Sequence, residues 1–131
     1  MKRVKLLFSL VLIGLNFQVV NSKTGSEVPE GLKSAFKSGV AKEIVNYFNN
    51  NIELDILGSE NICTKAQAEQ IIKSFFEQHP AMNFTVLFEG GKDTSQYAIG
   101  KLVTSKGTFR VNLLFKLKKI VQLRIEEDNG N

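Results

Sequence analysis

The part of the chain after Pro80 alternates between apolar and polar residues, and short groups of turn residues interrupt the alternation three times. A period of two residues is typical of strands that bury one face, so this pattern predicts four strands. Because strands joined by short turns pair as antiparallel neighbours, the four strands should form a meander. The predicted inward positions are Phe84, Val86 and Phe88, then Ala98, Gly100 and Leu102, then Phe109, Val111, Leu113 and Phe115, and finally Val121, Leu123 and Ile125.

The lengths of the turns decide which face each strand presents. A three-residue turn over residues 117–119 puts the apolar positions of the last two strands on one face and sets Arg110 opposite Glu126. In the preceding hairpin a two-residue turn points Lys101 outward, whereas a three-residue turn buries it. We expect the two-residue turn, because an unpaired buried lysine is costly.

Two helices are predicted before Pro80. The second should begin with Thr64 as N-cap and Gln67 completing a capping box, and should end at about Gln78. In the first, apolar residues recur every four positions, which predicts one helix of about 18 residues that residues 49–51, three asparagines, bring to an end. The stripe of the first helix is Leu32, Phe36, Val40, Ile44 and Phe48; that of the second is Ala68, Ile71, Ile72, Phe75, Phe76 and His79.

The segment between the helices predicts one short strand. Ile52, Leu54 and Ile56 alternate with acidic residues, and residues 58–61 are predicted to be a loop. The elements together predict an α+β fold in the order α-β-α-β-β-β-β, in which two amphipathic helices pack on one face of a curved antiparallel sheet. Residues 30–127 would form this single domain, after a polar tether over residues 23–29 and before a frayed polar tail over residues 128–131.

The first 22 residues have the three-part order of a secretory signal peptide. Residues 1–5 are basic, residues 6–15 are an apolar run, and residues 20–22 offer a site for cleavage after Ser22. A transmembrane helix is the alternative, but it needs about 20 apolar residues and this run has half that length. We therefore expect an exported protein, periplasmic or extracellular, with no integral membrane segment after cleavage. No cysteine lies directly after the apolar run, so lipid attachment at a new N-terminal cysteine is not expected.

The basic charge of the chain belongs mostly to this leader. The formal net charge is +4, and removing residues 1–22 leaves 14 basic and 13 acidic residues. A nucleic-acid-binding domain concentrates positive charge on one face, so no nucleic-acid partner is expected. Cys63 is the single cysteine, which excludes an internal disulfide; we interpret it as a small buried apolar side chain beside a helix start.

Three stretches, TKAQAEQIIKSFFEQHP, YAIGKLVTSKGTFRV and QLRIEE, resemble a family of secreted bacterial proteins of unknown function from the Bacteroidetes. The order of elements over residues 30–127 also resembles the nuclear transport factor 2-like (NTF2-like), or cystatin-like, superfamily. That resemblance implies a cone of helices and bent sheet. In this superfamily the mouth of the cone often binds a small ligand, some members are isomerase- or dehydratase-type enzymes, and others only bind or dimerise, so the fold does not choose among these functions.

Few residues are candidates for a catalytic, metal-binding or ligand-binding role. His79 is the single histidine, and at a helix end it is expected to bond terminal carbonyls rather than act as a base. One His and one Cys cannot form a usual zinc site, so no metal and no cofactor are expected. Tyr47 and Tyr97 are the candidate ligand-binding residues, since each could give an apolar pocket a polar tip, although the interpretation of both as core aromatics that need no ligand is favoured.

The outer face of the sheet is the candidate interface. Its predicted centre is Leu114 and Ile120, with Tyr97 and Ile99 beside them, and its charged surround is Arg110, Lys116, Arg124 and Glu126. The pattern fits either an ordinary amphiphilic sheet surface or an interface, and our hypothesis is a homodimer through this face. The chain is thus interpreted as a non-catalytic module that binds an apolar small molecule or a protein; an isomerase- or lyase-type enzyme and a structural oligomeric envelope component are the alternatives.

Overall fold

The computed structural model describes residues 28–130, so the predicted signal peptide and most of the tether lie outside the described residues. The described chain has three helices, a short 3-10 turn and six strands. Their bounds are α1 Glu30–Ser38, α2 Ala41–Ile44, the 3-10 turn Val45–Tyr47, β1 Phe48–Ile56, β2 Ser59–Thr64, α3 Lys65–Gln78, β3 Ala81–Lys92, β4 Ser95–Thr104, β5 Gly107–Lys116 and β6 Lys119–Glu127.

Helix α3 forms as the sequence predicts. The Thr64 hydroxyl accepts a hydrogen bond from the Gln67 N–H (3.3 Å), and the Gln67 side chain accepts one from the Thr64 N–H (2.9 Å). This capping box satisfies amide groups that the first turn of a helix leaves without partners. The face that α3 buries consists of Ala68, Ile72, Phe75 and Phe76.

The first predicted helix is instead two helices, so the prediction of one helix of about 18 residues is wrong. Gly39 adopts a left-handed conformation (φ 70°), and its N–H bonds to the Phe36 carbonyl (3.2 Å). The Val40 N–H bonds to the Ala35 carbonyl (3.0 Å), which closes the end of α1 in the way that glycine favours. The chain bends here without exposing its stripe, because Phe36 and Ile44 both remain buried.

A hairpin replaces the predicted strand and loop between the helices. β1 begins at Phe48 and includes residues 49–51. The three asparagines therefore lie in a strand and not in a loop that ends a helix. Residues 59–64 form β2, not a loop, after a tight turn in which Leu57 (φ 54°) and Gly58 (φ 90°) are both left-handed. β2 is an edge strand whose one buried residue is Cys63, so it carries no apolar alternation to predict it by.

The strands form one six-stranded sheet in the order β2-β1-β6-β5-β4-β3. β1 is parallel to β6, so the sheet is mixed and the prediction of a wholly antiparallel sheet is wrong. The reason is the connection through α3, which links β2 at one edge to β3 at the other and so brings the first hairpin beside the last strand. A crossover of this length permits parallel pairing, which a hairpin does not.

In the last hairpin the predicted three-residue turn over residues 117–119 is wrong, and so is the predicted outward position of Ile120. Lys116 pairs with Lys119 around a two-residue turn, Leu117-Lys118, in which both residues are left-handed. Ile120 therefore lies opposite Phe115 and is fully buried, not on the outer face. Val121 is an extra residue on β6, and this bulge restores the register, so that Arg110 pairs with Glu126 as predicted.

The structure confirms the predicted turn of the β4–β5 hairpin but contradicts the predicted face of Phe88 in the β3–β4 hairpin. The β4–β5 hairpin has the expected two-residue turn, with Ala98, Gly100 and Leu102 buried and Lys101 exposed. In β3 the register shifts between Val86 and Phe88, so the side chain of Phe88 pairs with outward-facing Ile99 and is 57% exposed. The prediction of Phe88 as an inward residue is wrong, because one extra residue reverses every following side chain.

Aromatic side chains fill the space between the helices and the sheet. The Phe36 ring of α1 stacks on Phe84 of β3 with centroids 4.9 Å apart, and Phe75 of α3 meets Phe109 of β5 edge-on at 5.3 Å. Among the described residues, Thr104 is the one polar member of the buried set. The expected class of fold, helices packed on one face of a curved sheet, is confirmed. None of the described helices has the length and apolarity needed to cross a membrane.

Gly100 tests this packing, because a Cβ added there would overlap the Phe84 ring and lie 3.2 Å from the Thr85 carbonyl oxygen. We expect Gly100→Ala to lower the free energy of unfolding by about 1–3 kcal/mol, measured by chemical denaturation. Combining it with Phe84→Leu, which shortens the side chain, should recover at least about 0.5 kcal/mol relative to the sum of the two single changes. Strictly additive effects would contradict the proposed contact.

Candidate functional site

The two candidate ligand-binding tyrosines lie apart. Tyr47 ends the 3-10 turn, packs half-buried against the core, and holds its hydroxyl against Gly31 of α1. Tyr97 lies on the outer face of β4 and is 39% exposed. Neither side chain lines the groove between α3 and the β1–β2 hairpin that is described below, and the structure does not bring the two rings together around one pocket.

Tyr97 belongs instead to a cluster of apolar side chains on the outer face of the sheet. It lies directly opposite Leu114 on β5, while Phe88 lies opposite Ile99 across β3 and β4. The rings of Phe88 and Tyr97 are 6.1 Å apart between centroids. We call these four residues, Phe88, Tyr97, Ile99 and Leu114, the outer patch.

Charged residues of both signs surround the outer patch. Lys101 and Arg110 pair across β4 and β5 on one side, and Arg110 also approaches Asp128 at 3.9 Å. Arg124 forms an ion pair with Asp55 of β1, with Nε and Oδ2 3.3 Å apart. The outer face of the first hairpin is acidic, with Glu53, Asp55 and Glu60.

Three of the four predicted interface residues therefore lie where the sequence placed them. Leu114 is in the outer patch, and Arg110 and Arg124 are on the same face beside it. Ile120 is buried under the sheet and contributes nothing to this surface. The sequence analysis missed Phe88, because no residue pattern marks the bulge that turns it outward.

A second feature is a groove between α3 and the end of the β1–β2 hairpin. Its volume is about 410 Å³, and it is open to solvent along one side. We call it the helix groove. Its lining consists of Ile56, Leu57 and Ser59 from the hairpin and Gln70, Ile71, Ser74, Phe75, Gln78 and His79 from α3 and its C-cap.

The His79 ring at one end of the helix groove is held from two sides. It stacks on Phe75 with centroids 4.4 Å apart and meets Phe109 edge-on at 5.1 Å. Its Nδ1 lies 2.9 Å from the Phe75 carbonyl oxygen, which can only accept a hydrogen bond, so Nδ1 carries the proton. The expectation that His79 bonds a carbonyl at the end of its helix is confirmed, and Nε2 is left as an acceptor in the uncharged ring.

The groups that usually carry catalysis do not converge in the described part of the chain. Burial raises the pKa of the Cys63 thiol, so little thiolate, the nucleophilic form, is present near neutral pH. Between residues 28 and 130 no three His, Cys, Asp or Glu side chains are placed to hold a metal ion. Apolar side chains line most of the face of the sheet under the helices. Glu89, opposite buried Ala98, also lies on this face, and its carboxylate accepts a hydrogen bond from the Val28 N–H (3.2 Å).

Comparison with known proteins gives a family and a fold. The chain matches the family model "Domain of unknown function (DUF4783)" over residues 29–127. It is similar to the crystal structure of a DUF4783 family protein from Bacteroides uniformis, with 36% identity, a TM-score of 0.73, and coverage of 79% of this chain and 99% of that one. A DUF4783 family protein from Bacteroides ovatus is 33% identical, with a TM-score of 0.74 and coverage of 81% and 100%.

Proteins that are much less similar in sequence share this fold. An NTF2-like protein of unknown function from Cytophaga hutchinsonii is 11% identical, with a TM-score of 0.54 and coverage of 75% of this chain and 84% of that one. At this identity the likeness shows the fold alone, and it confirms the NTF2-like architecture that the sequence predicted. No curated protein matches the chain.

Cys63 gives a direct test of the chemistry assigned to it. The native chain at neutral pH should react with a small aromatic disulfide reagent far more slowly than the chain unfolded in guanidinium chloride, because burial disfavours the thiolate. The reaction is followed by the absorbance of the released thiol. Equal rates in the native and unfolded chains would show that Cys63 is accessible and ionised, and would contradict the structural role.

Proposed function

The chain belongs to the DUF4783 family of domains of unknown function, and from that premise we propose that it is an exported, non-catalytic interaction module whose outer patch binds a second copy of itself. The observation that carries this proposal is the outer patch. Two aromatic and two aliphatic side chains lie together on a sheet face that no helix covers in the described chain. A solvent-exposed apolar cluster with a polar surround is typical of a protein interface.

The exposure of the two aromatic rings strengthens the case. Phe88 is 57% exposed and Tyr97 39%, and their rings lie together on the sheet rather than singly. Buried aromatic residues dominate the binding free energy of interfaces. Burying both rings in a partner would remove from water the largest apolar groups that the outer face presents.

The charges favour a second copy as the partner. A two-fold interface brings the same surface together twice, so it must be complementary to itself. Here the basic residues Lys101 and Arg110 flank the outer patch along β4 and β5, and the acidic hairpin face lies across β6 from it, so two copies can oppose unlike charges around a shared apolar centre. The chain after residue 22 carries nearly equal numbers of basic and acidic residues, so copies would not repel one another at long range.

The isomerase- or lyase-type alternative has less support. It requires at least two titratable groups facing each other beneath the helices, and Thr104 is the polar residue buried there among residues 28–130. A small-molecule role is favoured by the helix groove rather than by the interior of the cone, because phenylalanine rings fill that interior.

Sedimentation equilibrium tests the self-association. We expect the unmodified chain to be a dimer and Leu114→Lys to raise the dimer dissociation constant at least about thirtyfold, because the new ammonium group would be buried without a partner at the interface centre. Leu117→Lys is the matched control. Leu117 is 73% exposed in the β5–β6 turn, outside the outer patch, so the same change there should leave the dimer intact.

Two results would overturn the dimer. One is a monomer for the unmodified chain at the highest concentration accessible. The other is a dimer that Leu117→Lys weakens as much as Leu114→Lys does, since a general effect of added charge would then explain both. Circular dichroism spectra of the two variants should match that of the unmodified chain, because both side chains point away from the core.

Export is tested by expressing the full chain in a bacterium with its own leader. We expect the protein to leave the cytoplasm with its mass reduced by about 22 residues, as determined by mass spectrometry of the intact chain. Leu10→Arg interrupts the apolar run and should leave an uncleaved precursor in the cytoplasm. Recovery of the unmodified chain in the cytoplasm with residues 1–22 attached would contradict export.

A further inference from the structure

We propose that the helix groove binds an uncharged small molecule that has an apolar body and an alcohol group. The site is independent of the outer patch: α3 and the β1–β2 hairpin form it, whereas β3, β4 and β5 carry the patch. Its volume of about 410 Å³ lies within the range of pockets that hold small organic ligands.

The apolar side of the helix groove would hold the body of the ligand. Ile56 and Ile71 are half-buried and contact the core, and Phe75 is buried beneath them. Leu57 adds a more exposed wall at the hairpin turn, where the Asp55 carboxylate accepts a hydrogen bond from the Gly58 N–H (3.0 Å) and fixes the turn. An apolar molecule placed here gains by removing these side chains from water.

The polar side of the helix groove contains neutral groups. Ser59, Gln70, Ser74 and Gln78 supply hydroxyl and amide groups, and none of the nine lining residues is Asp, Glu, Lys or Arg. A carboxylate or ammonium group entering the groove would lose water without meeting an opposite charge. The lining therefore selects against charged ligands and favours hydrogen-bonding groups without charge.

His79 narrows the class of ligand further. Because Nδ1–H is committed to the Phe75 carbonyl, the uncharged ring presents Nε2 as an acceptor, and the stacking on Phe75 holds the ring in place. A ligand group that binds there must donate a hydrogen bond. An ether or a ketone cannot do so, whereas an alcohol can.

Ser74 and Gln78 complete the recognition. The Gln78 Nε2 donates to the Ser74 Oγ (3.4 Å), which leaves the Ser74 hydroxyl proton free to donate to a ligand. An alcohol carries both functions, because its oxygen can accept a hydrogen bond from a serine hydroxyl and its proton can be donated to an imidazole nitrogen. This pairing of a donor and an acceptor at the helix end is the reason for assigning an alcohol rather than an amine.

The test uses three probes that share one apolar body: 1-adamantanemethanol, its methyl ether and 1-adamantanecarboxylate. Each is titrated into the purified chain at about pH 8, above the usual pKa of an imidazole ring, and binding is followed by shifts of the backbone amide resonances in two-dimensional NMR spectra. We expect the alcohol to shift the resonances of Ser74, Gln78 and His79. The ether should bind about fivefold more weakly, since it cannot donate to Nε2, and the carboxylate at least tenfold more weakly.

Variants assign the effect to the helix groove. His79→Phe keeps an aromatic ring against Phe75 but removes Nε2, so the alcohol should bind no better than the ether. Ser74→Tyr fills the groove from its exposed side and should abolish binding of all three probes; Gln70→Trp, one turn earlier on α3, is the second occluding change if the first does not fold. Tyr97→Ser in the outer patch is the matched control and should leave binding unchanged even if it disrupts the dimer.

Three outcomes would overturn the assignment. The carboxylate could bind as tightly as the alcohol, the resonance shifts could map away from the helix groove, or both occluding variants could fold and still bind the alcohol. Preference for the alcohol that persists in His79→Phe would show that the ring is not the acceptor, and would overturn the role assigned to His79. None of these results tests the dimer, because the oligomeric state of Leu114→Lys, measured by sedimentation, tests the outer patch separately.

Discussion

The packing of phenylalanine rings between the helices and the sheet is the constraint on which the rest of the molecule depends. The Phe84 ring fits over Gly100, which has no side chain, and stacks on Phe36 of α1. Phe75 and Phe109 fill the other half of the same space. These rings take up much of the space between the helices and the sheet. The surfaces available for function are therefore outside the cone, on the open face of the sheet and beside α3.

Single extra residues decide what those surfaces contain. The bulge in β3 turns Phe88 outward to join Tyr97, and the bulge at Val121 compensates for a two-residue turn so that Arg110 stays opposite Glu126. Without the first, the outer face would carry half as many aromatic rings; without the second, the inward residues of β6 would face solvent. Bulges thus act here as devices that assign side chains to faces.

The two surfaces differ in the binding that they support. The outer patch is broad, exposed and ringed by both signs of charge, which suits another protein surface. The helix groove is lined by uncharged or neutral polar side chains and a histidine whose Nδ1 proton bonds to a backbone carbonyl, which suits a small neutral molecule. They use different elements of the fold, so occupancy of one does not require occupancy of the other.

The sequence by itself determined the local structure: the capping box of Thr64, the end of α3 before Pro80, the inward alternation of β4 and β5, and an α+β fold with its helices on one face of a curved sheet. These features rest on contacts between residues close in the chain, or on the simple rule that apolar side chains are buried. The tertiary structure alone decided the break at Gly39, the edge strand β2, the parallel pairing of β1 with β6, the burial of Ile120 and the exposure of Phe88. Each of these depends on where a distant strand or helix lies. A left-handed glycine or a one-residue bulge accommodates such a neighbour. It changes which face a side chain occupies, but the pattern of apolar and polar residues around it stays the same.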